Sequence, residues 1–277
     1  MSGKAAWLAV CVGLLGADRP LHAESLPLWE AGVGISVLQL PDYRGADEGR
    51  SYVLPVPYLV YRGEFLKADR HGVRAELFDS DRVELNLSAG ASPPVDSRKN
   101  RARQGMPDLR PAVELGPALN LTLWRSRNEG KRLDLRLPLR AGVTVESSPR
   151  FVGWTFSPQV NLDVRSVAGS GWNLGLQSGP LIADRRHHAY FYSVAPEFSS
   201  AERPAYAAHG GFAGVQVLAA LSRRFERQWV GAFVRWDTLR GAVFDDSPLV
   251  RRSQYLAAGV AVSWIFGVST RTVEVTE

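Results

Sequence analysis

Leu133-Asp134-Leu135-Arg136-Leu137-Pro138-Leu139-Arg140-Ala141-Gly142-Val143-Thr144-Val145 is the stretch that decides the fold. Every odd position is apolar, while Asp134, Arg136, Arg140, Gly142 and Thr144 fill the even ones. A helix would scatter these leucines around its circumference, whereas a strand collects residues of one parity on one face. The segment reads as a strand with a greasy face and an ionic face.

The same period recurs on both sides. Val83, Leu85, Leu87, Ala89 and Ala91 alternate with Arg82, Glu84, Asn86, Ser88 and Gly90. Val113, Leu115, Leu119, Leu121 and Leu123 alternate with Glu114, Gly116, Asn120 and Thr122. Trp154, Phe156, Val160, Leu162 and Val164 alternate with Thr155, Ser157, Gln159, Asn161 and Asp163. Weaker copies occupy 30–40, 52–61, 64–78, 171–182, 188–198, 211–222, 229–239 and 254–266. The total is about twelve strands, an even number as in bacterial barrels. Phe65 to Phe78 reads either as one bent strand or as a hairpin around Arg70-His71-Gly72.

A soluble sandwich also alternates, with its apolar face inward. Here the runs are about nine to thirteen residues long, which suits tilted membrane-spanning strands. Aromatics including Trp29, Tyr58, Trp124, Trp154, Trp229, Trp236 and Trp264 fall near strand ends, as an interfacial girdle requires. Turn chemistry at Arg62-Gly63, Asp79-Ser80-Asp81, Asn128-Glu129-Gly130 and Gly169-Ser170-Gly171 alternates with longer connections over 41–51, 92–110, 199–210 and 241–252. Short turns at one end and long loops at the other are barrel architecture. The fold class expected is all-β, a transmembrane antiparallel β-barrel. The uncharged stretches 204–222 and 253–270 approach the length of a membrane helix, but their Gly, Ser and β-branched content favours strands.

The N-terminus reads as a cleaved signal peptide over residues 1–23, with Lys4, an apolar run from Ala5 to Gly16 and a small residue at Ala23. That leaves the barrel over 24–266 and a C-terminal tail over 267–277. The single cysteine, Cys11, lies in the leader, which excludes disulfides and thiolate metal sites from the mature chain. The net charge of +5 comes from arginines spread among acids, so no nucleic acid is expected; lumenal ion pairs and outer-membrane lipid are the partners expected for them. The basic segment from Ser97 to Arg103 is read as a solvated loop, with lipid-headgroup contact as the alternative.

Three segments carry a resemblance. They are Asp42-Tyr43-Arg44-Gly45-Ala46-Asp47-Glu48 followed by Pro55-Val56-Pro57-Tyr58; Tyr190-Phe191-Tyr192 with Arg203-Pro204-Ala205-Tyr206; and Asp246-Ser247-Pro248. In this order and spacing the chain resembles the outer-membrane family named for the MltA-interacting protein, also called the OmpV family. The resemblance implies localisation in the outer membrane and a scaffold role bridging a murein transglycosylase and a peptidoglycan synthase. It also makes Tyr43, Arg44, Gly45, Asp47, Glu48, Pro55, Pro57, Tyr190, Tyr192, Arg203, Tyr206, Asp246, Ser247 and Pro248 the candidate site, as loop-fixing or partner-binding residues. Read physically, Pro55 and Pro57 remove two ladder donors on one strand face, which fits an edge, bulge or seam. Family members usually end near an aromatic residue that closes the last strand; Phe266 would be that residue, yet the chain continues.

No catalytic residue, cofactor or metal is expected. His187, His188, Ser193, Glu197 and His209 are the available hydrolytic set. On a strand His188 and Ser193 would face opposite sides and could not pair. Two other readings stay open here: a narrow channel and a lipid-acting enzyme.

Overall fold

The computed structural model describes residues 24–62, 66–69, 72–75, 78–79, 82–126 and 130–275. The expected leader with Cys11 lies outside them, as do Gly63, Arg70-His71, Ser80-Asp81 and Asn128-Glu129 of the expected turns. Six strands come first: β1 (Glu24–Pro27), β2 (Trp29–Pro41), β3 (Gly49–Arg62), β4 (Leu66–Asp69), β5 (Gly72–Ala75) and β6 (Phe78–Asp79). The middle comprises β7 (Val83–Ser92), β8 (Ala112–Arg125), β9 (Lys131–Thr144), β10 (Phe151–Phe156), β11 (Gln159–Val164) and β12 (Trp172–Ala183). After these come α1 (Arg185–Tyr192), β13 (Gly211–Arg224), β14 (Gln228–Thr238), β15 (Gln254–Val268) and β16 (Thr272–Val275).

All strand pairs are antiparallel, and the main sheet runs β5-β4-β3-β2-β15-β14-β13-β12-β10-β9-β8-β7-β6 with β11 also between β9 and β12. β10 and β11 are thus one strand interrupted at Ser157-Pro158. Likewise β5 pairs with β4 while β6, just beyond it in the chain, pairs with β7. Taking each of these two pairs as one interrupted strand, the fourteen-stranded sheet is a closed ring of twelve. Residues 66–69 and 72–75 pair antiparallel, as the hairpin reading requires and the bent strand does not.

Side chains sort as a membrane barrel demands. Val33, Ile35, Val37, Leu139, Val160 and Val260 face outward and exposed. Glu84, Asn86, Asn120, Asp134, Asn161 and Asp237 face inward and buried. In water this would be upside down; in a bilayer it puts the apolar band against lipid. Inside, Arg132–Asp134 at 2.6 Å, Arg136–Asp163 at 3.3 Å, Arg224–Glu30 at 2.7 Å and Arg235–Asp237 at 2.7 Å neutralise the buried charges.

The lumen has two unlike walls, because registered partners share a face. From β7 to β12 the inward positions are polar, as at Asn86, Asn120, Arg136, Asn161 and Gln177. On β3, beyond Arg50 at the rim, they are Tyr52, Leu54, Val56, Tyr58 and Val60, all apolar or aromatic. Leu38, Leu218 and Phe233 carry that wall through β2, β13 and β14. Tyr58 and Trp229, expected in the outer girdle, instead meet in the lumen with ring centroids 6.4 Å apart. Gly231 permits this: a Cβ there would lie 2.2 Å from the Trp229 ring. Both walls border a cavity of about 340 Å³, reached by Arg136, Asn161, Gln177, Leu218, Trp229 and Phe233.

The two ends differ. At one end the turns are short, and the first and last described strands meet there: β1 pairs with β16, prolonging the β2·β15 ladder through Leu28 N–H to the Arg271 carbonyl at 2.8 Å. β15 itself runs to Val268, and residues 272–275 form β16, so most of the described part of the expected tail lies in paired strands, joined by 269–271. At the other end all the long loops converge.

Candidate functional site

The long loops fold into a second apolar core across the barrel mouth. Tyr43 from the β2–β3 loop, Val95 and Leu109 from the β7–β8 loop, Tyr192 and Val194 around α1, and Leu239, Phe244 and Leu249 from the β14–β15 loop pack together. Phe244 is the centre: it is fully buried, stacks on Tyr192 at 3.8 Å and 11°, and meets His188 edge-on at 4.6 Å.

Most of the signature residues turn out to be the bolts of this cap. Tyr43 donates its hydroxyl to the Leu249 carbonyl at 2.8 Å, and Tyr192 donates to the Arg44 carbonyl at 3.0 Å. Ser247 Oγ donates to the Tyr192 carbonyl at 2.7 Å, and Tyr206 donates to Asp246 at 2.5 Å. Burial, reinforced at Tyr206 by Asp246, raises the pKa of Tyr43, Tyr192 and Tyr206, so these hydroxyls stay protonated donors. Arg44 reaches down to the barrel rim, giving Nε to Asp237 at 3.3 Å and to Tyr255 at 3.1 Å, and Nη1 to the Ala213 carbonyl at 2.9 Å.

Gly45 is held at φ +90°. Its carbonyl accepts both Arg251 N–H and Arg252 N–H, and a Cβ would strike Leu239 at 2.7 Å, so glycine is required twice over. Asp47 and Glu48 hold Arg101 at 3.1 and 3.0 Å. Arg203 donates to the carbonyls of Phe198, Ala102 and Gln104, and Tyr190 to that of Arg110 at 3.0 Å. Pro248 sits within the turn that Val250 N–H closes onto the Ser247 carbonyl. Pro55 and Pro57 are not in the cap; they lie on β3, opposite Ile35 and Val33 of β2.

The segment 188–198 is not the strand the alternation led us to expect. It begins with α1, N-capped by Asp184, whose carboxylate accepts His187 N–H at 2.8 Å. The opposite-sides argument for His188 and Ser193 therefore fails, yet each is occupied elsewhere. His188 Nδ1 lies 2.6 Å from the His209 carbonyl, which can only accept, so Nδ1 carries the proton. Ser193 Oγ accepts Ala208 N–H at 3.0 Å. Burial depresses His188 to about 4, with His187 and Arg44 adding to the effect against the His209 bond. His187 approaches Glu114 of the polar wall at 3.5 Å.

Sequence reasoning missed several cap residues. Arg103 is buried, donating to the carbonyls of Phe191 and Pro107, and Asn100 donates to Asp42 at 2.9 Å. The basic loop is thus wired to the cap rather than wholly solvated. No sequence pattern distinguishes Arg103 from its exposed neighbours Arg98 and Arg101.

The sequence matches the family described as MltA-interacting protein MipA over residues 33–266. No curated protein matches it. Among solved structures, an outer membrane channel from Pseudomonas putida F1 superposes with a TM-score of 0.43 at 11% identity, over 90% of this chain and 100% of that one. A bacterial polysaccharide outer membrane secretin gives 0.41 at 9%, over 88% and 99%. The outer membrane phospholipase A of Escherichia coli gives 0.33 at 10%, over 86% and 93%. At that distance none of the three bears on the chemistry of the cap.

Proposed function

Because this chain belongs to the MltA-interacting protein family, and so is an outer-membrane β-barrel, we propose that it is a non-enzymatic scaffold that gathers a murein transglycosylase and a peptidoglycan synthase at the outer membrane. The observation that carries the reading is the cap: the loop end is bolted shut around Phe244, a construction suited to a rigid anchor rather than to flow. The partner-facing side is then the opposite end, where the turns are short and β1 pairs with β16. Short turns mark the periplasmic side of such barrels, where cell-wall enzymes work. Residues 1–23 serve as the leader that takes the chain there. The hydrolytic residues support the same reading, since Ser193 and His188 are both committed to cap hydrogen bonds.

The test is a cross-linking pull-down of the solubilised barrel against purified murein transglycosylase and synthase. Capture of both, lost when 269–277 is deleted from a barrel that still assembles, is the expected result. Failure to capture either enzyme under cross-linking sinks the scaffold. A steady, ion-selective single-channel current from the intact protein would favour a channel instead.

A further inference from the structure

We infer that the lumen holds a binding site for a small neutral saccharide, in the cavity between the aromatic and the polar wall. The first observation is how that cavity is made. Gly175, Ala220, Ser222, Gly231, Gly259 and Ala261 all line it. In the registers of β12 to β15, Ala220 stands opposite both Gly175 and Phe233, Gly231 opposite both Ser222 and Ala261, and Gly259 opposite Phe233. Registered partners share a face, so these small residues form a recess where four neighbouring strands send almost no side chain into the lumen. Asn173, Ser222 and Trp229 lie close to the strand ends at Trp172, Arg224 and Gln228, which puts the recess on the side of the short turns, away from the cap. Its volume of about 340 Å³ is that of a compact small-molecule pocket.

The second observation is the aromatic platform. A Cβ on Gly231 would stand no more than 2.9 Å from Cη2, Cζ2 and Cζ3 of Trp229. The six-membered ring therefore lies over the glycine, and its other face is turned into the lumen. A Cβ on Gly259 would strike Leu38 at 2.5 Å and Phe233 at 2.6 Å, so a second ring fills space that a glycine leaves. The face of an aromatic ring is electronegative and attracts the C–H groups laid against it.

The third observation is the polar wall. Among the described residues, Arg136 and Asp163 are the only charged groups lining the cavity, and they pair with each other at 3.3 Å. The lining therefore carries no net charge with which to hold an ion. Asn161, only 4% exposed, gives its Nδ2 to Asp163 at 2.8 Å, and Gln177 Nε2 is given to Gln159. Among the described residues no donor reaches the carbonyl oxygen of either amide. Buried amide oxygens call for a donor. A pyranose with equatorial hydroxyls meets every one of these demands: its flat C–H face suits Trp229, and its hydroxyl rim donates to and accepts from the amides opposite. A hydrocarbon would leave Asn161 and Gln177 unmet, and a charged solute would find no counter-charge.

The experiment uses the full-length protein in lauryldimethylamine oxide micelles, a detergent without a sugar headgroup, and cellobiose as the probe. Saturation-transfer difference NMR reads which cellobiose protons touch the protein. Expected is transfer concentrated on the axial ring C–H protons, reduced several-fold in W229A and again in A220F, which fills the recess from β13. If W229A does not assemble, as judged by heat-modifiable migration, A220F alone makes the comparison. No transfer to cellobiose from the native protein overturns the inference, whatever the variants do. Transfer unchanged in an assembled A220F overturns it too, by placing the sugar elsewhere. Transfer to benzoate or toluene without transfer to cellobiose would show an aromatic-compound site and refute the saccharide. None of these outcomes touches capture of murein enzymes, so the two proposals fail separately.

Discussion

Replacing Phe244 by alanine should open the cap and leave the barrel standing. The ring is fully buried and stacked between Tyr192 and His188, so its removal deletes the centre of the loop core. Buried Phe→Ala changes cost about 3–5 kcal/mol. At 1.4 kcal/mol per factor of ten, the open population rises roughly a hundred- to four-thousand-fold. Trypsin reads that population, because cleavage after buried Arg103 requires opening, whereas Arg98, with 86% of its side chain exposed, is cut regardless and serves as the internal standard. The ratio of cuts at 103 to cuts at 98 should climb by that factor in proteoliposomes, while resistance of the barrel to SDS at room temperature is kept. An unchanged ratio refutes the independent cap. Simultaneous loss of SDS resistance refutes it differently, by making cap and wall one cooperative unit.

Acid should loosen the cap through His188. Its folded pKa, about 4, lies below the ordinary value near 6.5, so the unfolded loops bind the extra proton and cap stability falls as pH drops from ~6.5 to ~4. Hydrogen exchange of the α1 amides, corrected for intrinsic rates, should show that slope in the native protein and lose most of it in H188F. At the rim, D237A should destabilise more than R44A, because Asp237 holds both Arg44 and Arg235, whereas loss of Arg44 leaves the 2.7 Å Arg235 pair intact. Urea unfolding in bilayers would rank the two, and the reverse order would mean that the Ala213 and Tyr255 bonds of Arg44 dominate. On the outer face, L137R should cost about 2–4 kcal/mol if Leu137 lies near the bilayer midplane; a neutral effect in the same assay would place this wall outside the membrane.

The strands easiest to read in the sequence are those of the polar wall. On β9 the leucines meet lipid and the arginines meet acids, so both faces advertise themselves. The weak alternation of 52–61 has a physical cause: β3 is apolar inside as well as outside, so period two has no contrast to display. The same holds for Leu218 and Phe233. For Tyr58 and Trp229, ring position along a strand is visible in the sequence, which points to the interface, while parity relative to the lumen is not. The signature residues were located as loop residues, but their convergence needed the closed ring to bring loops over two hundred positions apart into contact, as at Tyr43 and Leu249. α1 escaped because His188-Ala189-Tyr190-Phe191-Tyr192 is short and its helical state is imposed by packing against Phe244. Asp184 as an N-cap was the one local signal available.

The pairing of β2 with β15 ties Glu30 to Val268, joining the first long strand to the last. A nascent or truncated polypeptide that stops before β15 therefore holds every other strand ready and still has two raw edges. Completion of the main sheet therefore waits for its last long strand, the fifteen residues of β15. That makes the junction a checkpoint: incomplete chains remain open ribbons that proteases and assembly factors can tell from finished rings. A duplicated or swapped β15 would be the most direct route by which two copies of this chain could become entangled.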